Sequence, residues 1–152
     1  MRKKIVVFGS YVTDLTAFAP QLPVPGQTIL GKYFRSGPGG KGSNQAIAIH
    51  RTGEDVTLIT KLGKDALGEM AQAFYQNEAM EMKGILIDQS YETGAALIIV
   101  DEKTAQNEIV VTLGACEHFT EEDISYTKEV LADADIVLAQ LETNLEATEA
   151  VI

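Results

Sequence analysis

Basic residues are scarce in this chain: 12 Lys and Arg stand against 22 Asp and Glu, a net charge of −10. Phosphate backbones and anionic lipid surfaces need a basic face, so this balance argues against a nucleic-acid or membrane partner. It leaves room for a small phosphorylated ligand, which needs only local donors. Cysteine is scarcer still. Cys116 stands alone, so no intrachain disulfide can form, and it reads as a structural residue. A lone thiol fits a reducing compartment, and the expected location is cytoplasmic. The histidines, His50 and His118, are single and far apart in sequence, which disfavours a metal site built on them. Long apolar runs are missing too. After Met1-Arg2-Lys3-Lys4 the first run covers only residues 5–8, too short for a signal-peptide core or a membrane span. No repeat or low-complexity segment stands out.

What the chain does have is one unusual stretch, Ser36-Gly37-Pro38-Gly39-Gly40-Lys41-Gly42-Ser43-Asn44-Gln45-Ala46. Glycine lets backbone approach a ligand closely and takes up positive φ. A glycine loop that opens a helix points unpaired N–H groups at whatever sits there. The stretch is therefore the best candidate for a ligand cradle. The 152 residues give one domain's length, and 45% hydrophobic residues suit a packed core.

Taken in order, residues 5–8 predict a buried parallel strand ended by Gly9-Ser10. Asp14 is expected just past its end, where ligands of open α/β sheets sit. Pro20, Pro23 and Pro25-Gly26 mark a loop, and 28–34 predicts a strand. The segment 43–51 predicts a buried helix stopped by Gly53. Strand 56–60 follows, then a turn with Asp65 as N-cap of a helix over 66–77, with Met70, Ala73, Phe74 and Asn77 at helical spacing. Residues 85–87 predict a strand, and 93–101 with 108–112 a hairpin. Thr120-Glu121-Glu122-Asp123 has the spacing of a capping box and opens a helix to about 131. Strand 136–139 comes next, with Glu142 beyond its end. A second capping-box spacing, Thr143 to Glu146, opens a last helix that runs to Ile152 without a stop signal, which reads as a cut. Alternating strands and helices imply a parallel α/β sheet. Residues 28–34 and 93–112 do not alternate with helices, so they are expected to pair as a small separate sheet.

The glycine stretch matches G-x-G-x-x-G literally, but that dinucleotide fingerprint belongs directly after the first strand, and here a proline-rich loop intervenes. Walker A fails as well, because Gly42 stands where Ser or Thr must reach Mg²⁺. A nicotinamide-dependent oxidoreductase remains an alternative. Asp14, Asn44 and Glu142 form a second constellation. If their strands share one sheet, all three face one crevice, with the acceptors and amide needed to grip sugar hydroxyls. Taken singly, Asp14 as a turn cap and Glu142 as a solvated charge are the plainer readings.

These residues carry a family resemblance. Val7-Phe8-Gly9-Ser10 with Asp14, Pro25-Gly26-Gln27-Thr28 and the block Gly39-Gly40-Lys41-Gly42-Ser43-Asn44-Gln45-Ala46 lead it. Gly63-Lys64-Asp65 with Gly68-Glu69, Thr93-Gly94-Ala95-Ala96 and Gln140-Leu141-Glu142 complete it in order. The chain resembles the N-terminal half of a ribokinase-family sugar kinase of the phosphofructokinase-B type. The fold so implied is α/β: a partial parallel ribokinase-like sheet flanked by helices, with a small β-sheet lid made of about 12–38 and 93–113.

The resemblance implies that Asp14, the Gly40 backbone, Lys41, Gly42, Asn44 and Glu142 bind the sugar. It implies that the lid closes over the sugar and builds a homodimer. It places the catalytic base, in a Gly-Ala-Gly-Asp type motif, in a C-terminal half that this chain lacks; Thr112-Leu113-Gly114-Ala115-Cys116 has no following Gly-Asp. Most contacts to ATP, Mg²⁺ and K⁺ are implied for that half too, so the chain by itself is expected to be inactive. Ribokinases proper often carry Asn two residues before the aspartate. Val12 stands there, which puts ribose in doubt and leaves other pentoses, hexoses or a nucleoside open. If the chain ends naturally at Ile152, a non-catalytic sugar-binding or dimerisation module is the alternative.

Overall fold

The computed structural model describes residues 3–152. Its centre is a parallel four-stranded sheet. The strands are β1 (Lys4–Phe8), β4 (Asp55–Gly63), β5 (Ile85–Asp88) and β8 (Ile136–Ala139), ordered β5-β4-β1-β8. A second, mixed sheet of four strands is ordered β3-β2-β6-β7. It is built from β2 (Val12–Ala19), β3 (Tyr33–Gly39), β6 (Thr93–Asp101) and β7 (Asn107–Gly114). The helices are α1 (Lys41–Arg51), α2 (Ala66–Asn77), α3 (Glu121–Leu131) and α4 (Leu145–Val151). None of the described helices is long and apolar enough to cross a membrane.

The apolar run of β1 is explained by burial on both faces. Val7 joins Leu58, Ala46, Ile47, Ala71 and Tyr75 on the side of α1 and α2. Val6 and Phe8 join Ile59, Phe119, Ala147 and Val151 on the side of α3 and α4. Each such side chain contributes about 1.5–3 kcal/mol when fully buried. β8 is an edge strand, and Ile136, Val137 and Leu138 stay 44%, 41% and 37% exposed there.

Several expectations are corrected. Residues 12–19, for which no separate strand was expected, form strand β2. Val12, Thr13, Thr16 and Phe18 favour extended chain, and β2 gains a partner on each side, antiparallel β3 and parallel β6. The segments 28–34 and 93–112 therefore do not pair directly; β2 lies between them. The strand expected at 28–34 lies later, at Tyr33–Gly39, so the glycine stretch is the end of a strand leading into α1 and not a free loop. The core face of α2 is Gly68, Ala71 and Tyr75, while Met70 stays 42% exposed. The box expected at Thr143 does not form. Asn144 is the N-cap of α4, and its side chain bonds the backbone of Phe119 instead.

The box at Thr120 does form. The Thr120 hydroxyl accepts from Asp123 N, and the Asp123 carboxylate accepts from Thr120 N at 2.8 Å. Thr120→Ala is expected to lower stability by about 1 kcal/mol in urea unfolding, with the slope unchanged. Asp65 also caps as expected, accepting from Gly68 N at 2.8 Å. Its second oxygen accepts from Thr93 N at 2.7 Å and so ties α2 to the first residue of β6.

One ion group spans the parallel sheet. Lys61 of β4 is almost wholly buried. Its ammonium donates to Asp88 of β5, to Asp123 of α3 and to the His118 carbonyl, each at 2.7 Å. Cys116 lies beside it, buried, with its thiol donating to the Lys61 carbonyl at 3.1 Å.

Candidate sugar-binding site

The site begins where β1 ends. Gly9 and Ser10 lead directly into β2, and the first turn of α1 lies against them. Ser43 N donates to the Ser10 carbonyl at 3.0 Å. This packing needs glycine twice. A Cβ on Gly42 would sit 2.6 Å from the carbonyl carbon of Gly9. Gly40, the N-cap of α1, has φ +89°, and a Cβ there would sit 2.7 Å from the Ser10 oxygen. Only a residue without a side chain takes up that conformation at that distance from neighbouring backbone.

Gly40 brings no side chain to cap α1, and a carboxylate from elsewhere pairs with the first residue of the helix. Glu142, three residues past β8, accepts from the Lys41 ammonium. Its other oxygen accepts from the Ser10 hydroxyl at 2.8 Å. Burial pushes the Glu142 carboxyl up, but the bonds from Lys41 and Ser10 outweigh it and hold it below its ordinary value. The negative charge also suits the positive end of the helix dipole. Ser10, Gly40, Lys41, Gly42 and Glu142 are thus brought together by direct contact.

Asp14 is placed differently from the expectation. It is not past the end of a strand; it is the third residue of β2, opposite Gly37 on β3. Its carboxylate lies where a Cβ on Gly39 would be. Among the described residues it accepts no hydrogen bond, and burial alone pushes its pKa up. A half-buried acceptor with free lone pairs is ready for a hydroxyl donor. Asn44 is exposed on the first turn of α1; its backbone N–H donates to the Gly40 carbonyl at 2.9 Å, and its amide is unbonded among the described residues. Val12 is buried, with a methyl toward Gly94, so position 12 offers no polar group.

Ser10 is named in the sequence only as a strand stop and as part of the Val7-Phe8-Gly9-Ser10 motif, without a place among the expected site residues. Its signal was its place directly after a buried strand, beside a glycine stretch that would pack on it. A separate cavity of about 300 Å³ opens at the other end of the parallel strands, lined by Lys4, Asp55, Glu81, Lys83 and Tyr126, and contains none of the site residues.

Carboxylates and an ammonium gathered beside a helix N-terminus, beyond the carboxyl end of β1 in a parallel sheet, define an α/β protein suited to a small polar ligand. The model of the pfkB family carbohydrate kinases matches residues 2–148, and the chain belongs to that family. It is 40% identical over 146 residues to the bifunctional ribokinase/ribose-5-phosphate isomerase A of Fructilactobacillus sanfranciscensis, covering 95% of this chain and 27% of that protein. The ribokinase structure from Giardia lamblia superposes with a TM-score of 0.87 at 34% identity, covering 99% of this chain and 46% of that one. The Arabidopsis thaliana ribokinase, solved with ribose and ATP, gives 0.78 at 28% identity, covering 99% and 50%. The chain thus spans half or less of each of these proteins.

Proposed function

We propose that the chain is the sugar-binding half of an ATP-dependent carbohydrate kinase that phosphorylates a primary hydroxyl of ribose or a related sugar. The observation that carries this reading is the meeting of Glu142, Lys41 and the glycine-opened end of α1 beside an Asp14 that has no partner of its own. In this reading Asp14 and Glu142 accept from sugar hydroxyls, and Lys41 and the exposed Asn44 amide donate. Gly40 and Gly42 let the sugar approach backbone N–H groups. A site built this way rejects analogues that lack a hydroxyl, because its own buried groups are left unpaired.

The residues of this chain do not fit the phosphate end of the reaction. There is no Walker A sequence, and no cluster of metal-ligating side chains occurs among the described residues. ATP, Mg²⁺ and K⁺ therefore belong, in this proposal, to protein beyond this half, and the chain alone transfers no phosphoryl group. The apolar open edge of β8 offers a place for further sheet to pair.

The mixed sheet is the proposed lid, covering the sugar and excluding water as competing acceptor. Its other face suits a homodimer. Strand register puts Leu97 and Val110 on one face with Phe34, and all three are more than half exposed. The proposed location is cytoplasmic.

Calorimetry of the chain with a panel of pentoses, with and without ATP, tests the reading. Pentose binding with no ATP turnover is the expected result. A chain that binds no sugar overturns the sugar site and leaves the lid face as its only interaction surface.

A further inference from the structure

Ser10 is wholly buried between β1 and β2. Its position is fixed on several sides. Its carbonyl holds the first turn of α1 through Ser43 N at 3.0 Å. A Cβ on Gly42 would reach within 2.8 Å of its nitrogen, and one on Gly40 within 2.7 Å of its oxygen. A hydroxyl has one proton to donate, and Ser10 gives it to Glu142 Oε2 at 2.8 Å.

Glu142 itself belongs to neither a helix nor a strand; it lies between β8 and α4. Its side chain is oriented by what donates to it. On one oxygen that donor is Lys41, whose side chain is 67% exposed and able to swing. On the other it is the immobile Ser10. Each carboxylate oxygen accepts at more than one lone pair, so both keep capacity for sugar hydroxyls after these donors are seated.

We infer that Ser10 is a positioning residue for sugar recognition, acting through Glu142: its buried hydroxyl fixes the carboxylate in the orientation that the sugar meets. The inference rests on the sugar-site reading above. It separates two jobs on one carboxylate. Lys41 supplies charge from α1, and Ser10 supplies direction from the link between the two sheets. Without Ser10, Glu142 would turn with the flexible Lys41 side chain and meet the sugar in many orientations, losing affinity through disorder.

The test uses the 152-residue chain with Ser10→Ala, Glu142→Ala and the double variant. Two readouts are taken: NMR titration of the Glu142 carboxyl in the absence of sugar, and sugar affinity by calorimetry. Ser10→Ala is expected to move the Glu142 titration to higher pH, since a donor to the charged form is lost while Lys41 still faces it. It is expected to weaken sugar binding by about tenfold. The double variant should bind no more weakly than Glu142→Ala, because Ser10 then has nothing to position. Ser10→Cys, of similar size with a weaker donor, should fall between wild type and Ser10→Ala.

An unmoved Glu142 titration, or losses that simply add in the double variant, overturns the inference. A wild-type chain that binds no sugar while its Glu142 titration still responds to Ser10→Ala overturns the sugar reading itself. The recognition role of Ser10 then falls with it, although the Ser10–Glu142 contact stands.

Discussion

Lys61→Met is expected to destabilise the chain by about 3 kcal/mol near neutral pH, because it removes the cation facing two largely buried carboxylates. Asp88 and Asp123 have side chains only 11% and 19% exposed. Each keeps backbone donors, Ser90 and Tyr91 for Asp88 and Thr120 for Asp123, which places the effect at the low end of that range. In a domain of this size the loss appears as a fall in Tm of roughly 10 °C. The pH dependence separates this cause from simple loss of packing. Burial pushes the Asp88 carboxyl up, but the bonds from Lys61, Ser90 and Tyr91 win and hold it at about 2. A carboxyl depressed in the fold gives stability that is full above its unfolded pKa of about 4 and is lost as pH falls through the folded value.

In Lys61→Met the carboxylates lose that support and their pKa values rise. The gap between variant and wild type should therefore be widest near neutral pH and should close as pH drops below about 4. On the alkaline side the group at issue is Lys61. Burial lowers its pKa, but the bonds to Asp123 and Asp88 more than reverse this and raise it. Its contribution is full below about 10.4 and lost as pH rises through the folded value, so the gap closes there too. Urea unfolding of both proteins across pH measures this. A loss below 1 kcal/mol with no pH dependence would show that the ion group is not what joins β4, β5 and α3.

Much of the parallel sheet was legible because its signals are local. The run 5–8, the Asp65 cap and the Thr120–Asp123 box each state their structure within a few residues, and all three hold. What was not legible is long-range. Strand β2 has no clean alternation and follows a Gly-Ser stop, so its strand character rests on β3 and β6, which are remote in sequence. The Thr143 spacing gave a capping box that does not form, because Asn144 is held by Phe119 instead. Tertiary competition of this kind leaves no trace in a four-residue window. The site divides the same way. Glu142 beyond β8 and the glycines at the start of α1 could be read from order and spacing. That Glu142 meets both the Lys41 ammonium and the Ser10 hydroxyl follows only from the meeting of three distant segments.

The misplacement of Asp14, expected at a strand end and found within β2, changes what it does. On a strand of the main sheet it would be fixed; on the mixed sheet, the proposed lid, it would move with that lid. Closure would then bring this acceptor to the sugar while Glu142 and Lys41 wait on the fixed side, so affinity and lid position are coupled.

Asp14→Asn is accordingly expected to weaken sugar binding tenfold to a hundredfold, the effect of losing one charged hydrogen bond in a half-buried site. The same variant should make the sugar-free chain more stable at neutral pH. The reason is the sign of the shift: burial raises the Asp14 pKa with no donor to oppose it. A carboxyl raised in the fold lowers stability as pH climbs from its unfolded pKa to its folded one, and that deficit persists above both. Removing the charge removes the deficit. Sugar affinity of the wild type should rise with pH through the elevated Asp14 value, and the variant should lose this limb. Calorimetry across pH together with thermal unfolding of the sugar-free chain measures both. A stabilised variant that binds sugar as tightly as wild type would remove Asp14 from the site; one that binds weakly and is destabilised would make Asp14 a structural residue of β2. Gain of stability with loss of binding is the signature of an acceptor held without a partner for a ligand, a familiar exchange at binding sites.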